Sequence, residues 1–300
     1  MIDMKTNINT QQHRSVERVV TSIQTKEGAG FSIRRPFPTR TLDFIDPFLL
    51  LDHMEPIELG PGQAKGAPDH PHRGFETITY ILEGKMQHKD SAGNQGLLAP
   101  GDVQWMTAGS GVVHSEMPEA EFAAKGGRLH GFQIWVNLPA REKMVPPRYQ
   151  DIPSNKIPVV QNEDGSVQVK VIAGNSMGAN AVIDTHTPIM YLHINLKPGS
   201  KIVQSIPENF NSFAYVIDGS GHFGDSKTQA GADQLVNFKN DGGDVVIEAG
   251  AEQSLNFLLL GGVPLNEPVA RYGPFVMNTK EEIVQAIQDY QTGRLGLIDF

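Results

Sequence analysis

Cysteine is absent from all 300 positions of the chain. Disulfides, thiolate metal sites and cysteine nucleophiles are therefore excluded, and any metal must be held by nitrogen and oxygen. No apolar run approaches the ~18 residues that a membrane-spanning helix needs. The opening MIDMKTNINTQQ also lacks the apolar core of a secretory signal, so a cytoplasmic protein is expected. Long blocks of lysine and arginine are missing too. A formal charge of −9 would repel a phosphate backbone, which argues against direct nucleic-acid binding.

What the chain has in quantity is turn-forming residues, 31 Gly and 20 Pro, on an ordinary background of 39% hydrophobic and 20% charged residues. That balance predicts an all-β fold with short loops. After a polar tail to about His13, short β-type runs follow one another: VERVVTSI from Val16, DPFLLLDH from Asp46, and a strand from Thr77 to Leu82 that stops at Glu83 and Gly84. Others begin at Met86, Val103 and Val112. GFQIWVNLP from Gly131 closes the first half, and the polar, proline-rich PAREKMVPPRYQ from Pro139 reads as an interdomain linker. At ~150 residues per domain the length suits two domains, 1–140 and 141–300.

The second half echoes the first. YILEG from Tyr80 matches YVIDG from Tyr215, and PGDV from Pro100 matches GGDV from Gly242, which suggests an internal duplication. The end differs: TKEE from Thr279 is a capping box, and Ile283, Val284, Ile287 and Tyr290 recur at helical spacing until Gly293. An amphipathic helix lying against a sheet is predicted there.

The stretch HPHRGFE, from His70 to Glu76, carries the clearest chemistry. Residues two apart on a strand point the same way, so His70 and His72 project together, and His114 and Glu116 in VVHSEMP repeat that geometry. Converging inside one barrel, the two pairs would offer three imidazoles and a carboxylate to a divalent ion. Iron, nickel, copper, manganese or zinc would suit that donor set. Glu76 lies by strand parity on the side of His70 and His72, where it could ligate, hydrogen-bond a ligand or accept a proton.

HPHRGFETITYILEG from His70, followed by PGDVQWMTAGSGVVHSEMP from Pro100, resembles the two cupin motifs in the form found in pirins. DPFLLLDH, HGFQIWVNLP from His130 and RYGPFVMN from Arg271 resemble further pirin segments, so the likeness spans nearly the whole chain. The resemblance implies a bicupin: two face-to-face β-barrels or jelly rolls with a short C-terminal helix, an N-terminal metal-binding barrel and a metal-free C-terminal one. It implies one metal, usually taken as Fe2+, on His70, His72, His114 and Glu116. The ordinary cupin pattern would instead use Glu76, and both carboxylates are present.

Laying YVIDG on YILEG puts Ser205, Pro207 and Asn211 where His70, His72 and Glu76 stand, and laying GGDV on PGDV puts Asn256 and Leu258 where His114 and Glu116 stand. Phe75, Trp105, Met106 and Phe132 either wall the pocket or belong to the core. RRPFPTR, from Arg34 to Arg40, reads as a solvated hairpin edge. His53 and His88 lack partner spacing, as does His130, although His130 is placed to line the pocket from the adjoining strand.

Two functions follow from the resemblance. The first is a quercetin 2,3-dioxygenase-like activity, in which a flavonol and dioxygen meet at the metal, Glu116 or Glu76 takes the enol proton, and carbon monoxide leaves. The second is a non-catalytic, redox-responsive iron protein that regulates a protein partner, a transcription factor or a metabolic enzyme. Equal recovery of partners by ferrous and ferric protein would leave no support for the second. Pirins are generally monomeric, and a monomer is expected here.

Overall fold

The structure, a computed structural model, describes residues 13–300. The signal-peptide reading, and the polar tail as far as Gln12, concern residues outside the described ones. Among the described residues α-helix is confined to Ala120–Lys125 and Lys280–Gln291, and strands dominate the rest. Among the described residues no helix is long and apolar enough to cross a membrane.

The strands form two sandwiches of the same design, each a seven-stranded antiparallel sheet over a four-stranded one. In the N-terminal sandwich the large sheet runs Arg148–Ile152, Val103–Thr107, Phe75–Glu83, Gly127–Asn137, Phe48–Leu59, Phe31–Phe37, Ile23–Glu27. Its small sheet runs Ala67–His72, Val112–Pro118, Met86–Asp90, Gln95–Leu98. The C-terminal sandwich repeats this order, with Asn211–Asp218 taking the place of Phe75–Glu83 and Asp244–Ala249 that of Val112–Pro118. This is the bicupin architecture that the resemblance implied.

The edge strands are exchanged. Val16–Thr21, at the start of the chain, pairs with Gln234–Phe238 of the C-terminal sandwich. Arg148–Ile152, inside the expected linker, pairs with Val103–Thr107 of the N-terminal one. PAREKMVPPRYQ is thus a linker only in part: its RYQ opens an edge strand whose backbone groups find partners, as buried backbone groups must. A division at residue 140 is crossed once in each direction.

The two large sheets face one another, and because each is covered on both sides its strands are largely apolar on both faces. Phe37, Phe48, Trp105 and Phe132 from one half pack with Phe213 and Tyr215 from the other in a single buried cluster. Trp105 and Phe132 are therefore core residues of this contact and not pocket walls. Replacing one such ring by alanine would cost ~3–5 kcal/mol. A pseudo-symmetric pair of polar contacts fixes the two sheets in register. Tyr80 donates to His193 Nδ1 at 2.8 Å while His193 Nε2 donates to Asn256 at 2.6 Å. Correspondingly, His53 Nδ1 meets the Tyr215 hydroxyl at 3.1 Å and His53 Nε2 meets His130 Nε2 at 2.9 Å. His130 thus belongs to this contact and not to the pocket.

The repeat is only half as read. YILEG and YVIDG lie on equivalent strands, but PGDV leads into Val103–Thr107 of a large sheet and GGDV into Asp244–Ala249 of a small one. Asn256 and Leu258 consequently correspond to positions on Gly127–Asn137, Asn256 matching His130. The small-sheet strands that match the histidine pair place Ile202 opposite Ile247 and Gln204 opposite Val245. These four are buried, three of them in the apolar core that fills the C-terminal sandwich.

Thr279 caps the helix Lys280–Gln291 through the expected capping box with Glu282. Ile283 and Ala286 are buried and Ile287 half-buried, whereas Val284 and Tyr290 are exposed, and Asp289 turns inward instead. The helix covers the hairpin formed by Ala270–Tyr272 and Phe275–Met277, and with it Val113.

Candidate metal centre

His70 and His72 end the strand Ala67–His72, and His114 lies on its antiparallel neighbour Val112–Pro118, directly opposite His70. Alternation aims all three side chains into the N-terminal sandwich. Their ring centroids are 4.4–4.9 Å apart, and one potential ligand atom from each lies within 4.8 Å of the others. Phe75 packs edge-on against His72 at 5.1 Å.

The electronic state of these rings suits ligation. Burial first, and then the neighbouring imidazoles, push His72 and His114 well below the ordinary histidine value, so both are neutral at physiological pH. His70 Nδ1 donates to the Pro68 carbonyl at 2.7 Å, which leaves its Nε2 lone pair bare. Nδ1 of His72 and both ring nitrogens of His114 are buried without a hydrogen-bond partner among the described residues. A buried polar atom left so costs ~1–3 kcal/mol, and a divalent cation at the meeting point of the three rings would relieve that cost. The donor set is nitrogen-rich and of intermediate hardness, and fits a first-row transition metal.

Glu116 stands beside these three imidazoles, on the same strand as His114. A bulge between His114 and Glu116 shifts the register, so that Glu116 aligns with Ala67. Its carboxylate accepts from Thr79 Oγ1 at 2.8 Å and from Gln133 Nε2 at 2.9 Å, both donors coming from the facing large sheet. Neither Thr79 nor Gln133 emerged from the sequence, although a polar residue at an inward position of an apolar strand was a readable sign.

Glu76 is elsewhere, and here the parity argument fails. It assumed one continuous strand from His70, but the chain passes from the small sheet to the large one at Arg73 and Gly74. Gly74 has φ +89°, and a β-carbon there would collide with the Val276 carbonyl oxygen. The crossing resets the alternation. Glu76 then shares its face with Ile78 and Tyr80, toward the C-terminal sandwich, and accepts from Thr107 at 2.7 Å. Burial raises its carboxyl above the usual range. The structure thus sets it on the opposite face of the large sheet from the cavity and apart from the three histidines.

His70 and His72 open on a cavity of about 840 Å³, inside the range usual for small-molecule sites. Its walls include Leu50, Met54, Ile81 and Trp135, and the hairpin tip from Arg271 to Pro274 overhangs it. Met106 packs with Ala108 and Val112 and does not line it. Arg35 and Asp52 do line it, although RRPFPTR read as a solvated edge. Arg35 donates to both Asp52 oxygens and to Glu27, each at 2.6 Å.

The supports behind the histidines come from the far end of the chain. Arg73, next to His72, donates to the Ser110 carbonyl at 2.7 Å and to Asp289 of the C-terminal helix at 2.8 Å. Buried Lys143 donates to the Gly74 and Val276 carbonyls at 2.7 and 3.1 Å and to Asn137 at 2.6 Å.

Comparison with known proteins agrees with this geometry. Residues 30–136 match the Pirin family model and residues 191–296 the Pirin C-terminal cupin domain. A pirin-like protein of Solanum lycopersicum is 47% identical over 285 residues, covering 94% of this chain and 93% of its own. Pirin of Homo sapiens is 44% identical over 285 residues and 94% of each chain. The crystal structure of a quercetin 2,3-dioxygenase from Acinetobacter baumannii superposes with a TM-score of 0.90 at 36% identity, covering 96% of this chain and all of that one. With both cupin halves matched and relatives this similar over nearly their full length, the chain belongs to the pirin family.

Proposed function

We propose that the chain is a metal-dependent dioxygenase that opens the heterocyclic ring of a flavonol such as quercetin, using one divalent ion held by His70, His72, His114 and Glu116. Fe2+ is the first choice of ion, with nickel, copper, manganese and zinc as the alternatives. The observation that carries this reading is three imidazoles converging beside a cavity of about 840 Å³, in a chain 36% identical to a quercetin 2,3-dioxygenase.

When bound, a divalent ion supplies Lewis acidity and a template on which an enol oxygen and dioxygen meet. Three neutral imidazoles and one carboxylate leave such a site with a net charge of about +1, which favours an anionic substrate oxygen over a neutral one. Glu116 serves twice, completing the donor set and accepting the enol proton, and Thr79 and Gln133 orient its carboxylate for both roles. Leu50, Met54, Ile81 and Trp135 take the aromatic body of the substrate and keep water from it. In the overall reaction both atoms of dioxygen enter the products, and the enol-bearing carbon leaves as carbon monoxide.

The test is aerobic against anaerobic turnover of quercetin by protein loaded in turn with each of the five metals. Equimolar loss of flavonol and oxygen with release of carbon monoxide is expected, and His114→Ala should abolish it. If no loaded form consumes oxygen with the flavonol, the reading fails.

A further inference from the structure

The inner face of the large N-terminal sheet carries a row of polar side chains across strands that are otherwise apolar. Asp52 stands opposite Gln133, and Gln133 opposite Thr79, on three neighbouring strands. Gln133 and Thr79 hold Glu116 at the metal centre. Asp52 therefore lies one strand spacing beyond Gln133, ~5 Å along the cavity wall.

Beside it Arg35 and Glu27 complete a triad in which two carboxylates face one guanidinium, and all three residues line the cavity. The excess is one negative charge. Burial lifts the Asp52 carboxyl to about 6, against the pull of Arg35, so it is ionised at neutral pH. Each carboxylate oxygen has two acceptor positions, and Arg35 uses one on each Asp52 oxygen and one on Glu27 Oε1. Glu27 Oε2 is engaged by no residue described here. Nearby, Arg271 at the cavity mouth is already paired with Asp43.

The cavity is thus polarised. The metal end attracts an anionic oxygen, while the triad a strand or two away offers hydrogen-bond acceptors and repels anions. We infer that Asp52 and Glu27, held by Arg35, form a specificity subsite for the phenolic hydroxyls of a polyhydroxylated aromatic substrate, selecting it over analogues that are unhydroxylated or carry an anionic substituent there. This rests on the flavonol reading of the same cavity and names the feature of the flavonol that the chain recognises. Hydroxyls that donate to an ionised carboxylate form the stronger class of hydrogen bond, and a carboxylate left without them on binding is desolvated at a cost.

The experiment is anaerobic calorimetric titration of the Fe2+-loaded protein with quercetin and with 3-hydroxyflavone, which shares the enol and carbonyl but lacks the other hydroxyls. The wild type should prefer quercetin by ~10-fold or more. Asp52→Asn, and independently Glu27→Gln at a position whose side chain is 44% exposed and so safe for folding, should cut that preference at least ~5-fold. Affinity for 3-hydroxyflavone should stay within ~2-fold. Equal preference in wild type and in Glu27→Gln and Asp52→Asn overturns the subsite. Binding of both flavonols with the predicted preference but no oxygen consumption overturns the dioxygenase reading and leaves the subsite standing. Binding of neither overturns both.

Discussion

Replacing Asp289 by alanine removes a carboxylate that touches no candidate ligand, yet it should weaken metal binding. Its partner Arg73 is the residue after His72. The Arg73 backbone is tied to Pro274 and Val276, and its guanidinium reaches the Ser110 carbonyl, in the turn that leads into the His114 strand. Arg73 therefore joins the ends of both histidine-bearing strands to the C-terminal hairpin and helix. The side chains of Arg73 and Asp289 are 6% and 11% exposed. Breaking a well-buried ion pair costs ~3–5 kcal/mol. Asp289 also reaches the exposed Arg294, so the low end applies, ~3 kcal/mol for Asp289→Ala. Asn keeps an acceptor for Arg73 and should lose ~1 kcal/mol. Arg73 holds the Asp289 carboxyl below the usual range, so the pair's contribution is full above the unfolded value near pH ~4 and is lost as pH falls through the lower folded value. The metal effect is a separate quantity, because removal of a group that orients a ligand typically lowers affinity ~10–100-fold. Urea unfolding of the apoprotein measures the first, and competition with a chelator of known affinity the second. Val284→Ala on the exposed face of the same helix is the control and should move neither. Metal affinity of Asp289→Ala within ~2-fold of wild type would refute the positioning argument, whatever the loss of stability.

Glu116→Gln should lose most of its bound metal and Glu76→Gln should retain it, as read by metal analysis after gel filtration; the reverse pattern would return Glu76 to the centre. Gly74→Ala forces a side chain into the left-handed region against the Val276 carbonyl and should cost at least ~2 kcal/mol in urea unfolding; a neutral result would mean that the crossing between sheets is not constrained as described. Burial lowers the Lys143 ammonium to about 8. Between that pH and the unfolded value near ~10.4 the unfolded chain binds more protons, so unfolding free energy rises with pH. Wild type should gain up to ~3 kcal/mol over Lys143→Met across that window, and a constant difference would contradict a buried charge.

The pairs were legible because strand alternation acts within a single strand: His70 and His72 share one and His114 and Glu116 another, the register shift at Glu116 lying in the pairing between the two. Glu76 was misjudged because the crossing at Gly74 is set by contact with Val276, about two hundred positions away, and no local pattern reports it. Trp105 and Phe132 were ambiguous for a related reason, since both faces of a sheet in a double sandwich are apolar and periodicity cannot say which neighbour each face meets. The second half of the duplication was misread because GGDV and PGDV mark similar turns before different strands. Arg35 looked solvated in RRPFPTR, and only its pairing with Asp52 on another strand brings it to the cavity wall.

The two sandwiches repeat one strand order yet treat their interiors in opposite ways. In the C-terminal one Ile202, Val245 and Ile247 join a continuous apolar core, so its inward positions stabilise the fold directly. In the N-terminal one the matching small-sheet strands turn His70, His72 and His114 inward, and Asp52, Gln133 and Thr79 line the facing wall. Polar side chains in place of core leave the cavity open and forgo apolar burial at ~25 cal/mol per Å². The deficit is offset outside the cavity, by the aromatic contact between the large sheets and by the exchanged edge strands. The hollow half is therefore held in shape from without, by its packed twin on one side and by the C-terminal hairpin and helix through Arg73 and Lys143 on another. On that logic the packed twin is a structural requirement of the site, and mutations at the contact between the sandwiches should lower metal affinity more than those on the cavity's solvent rim do.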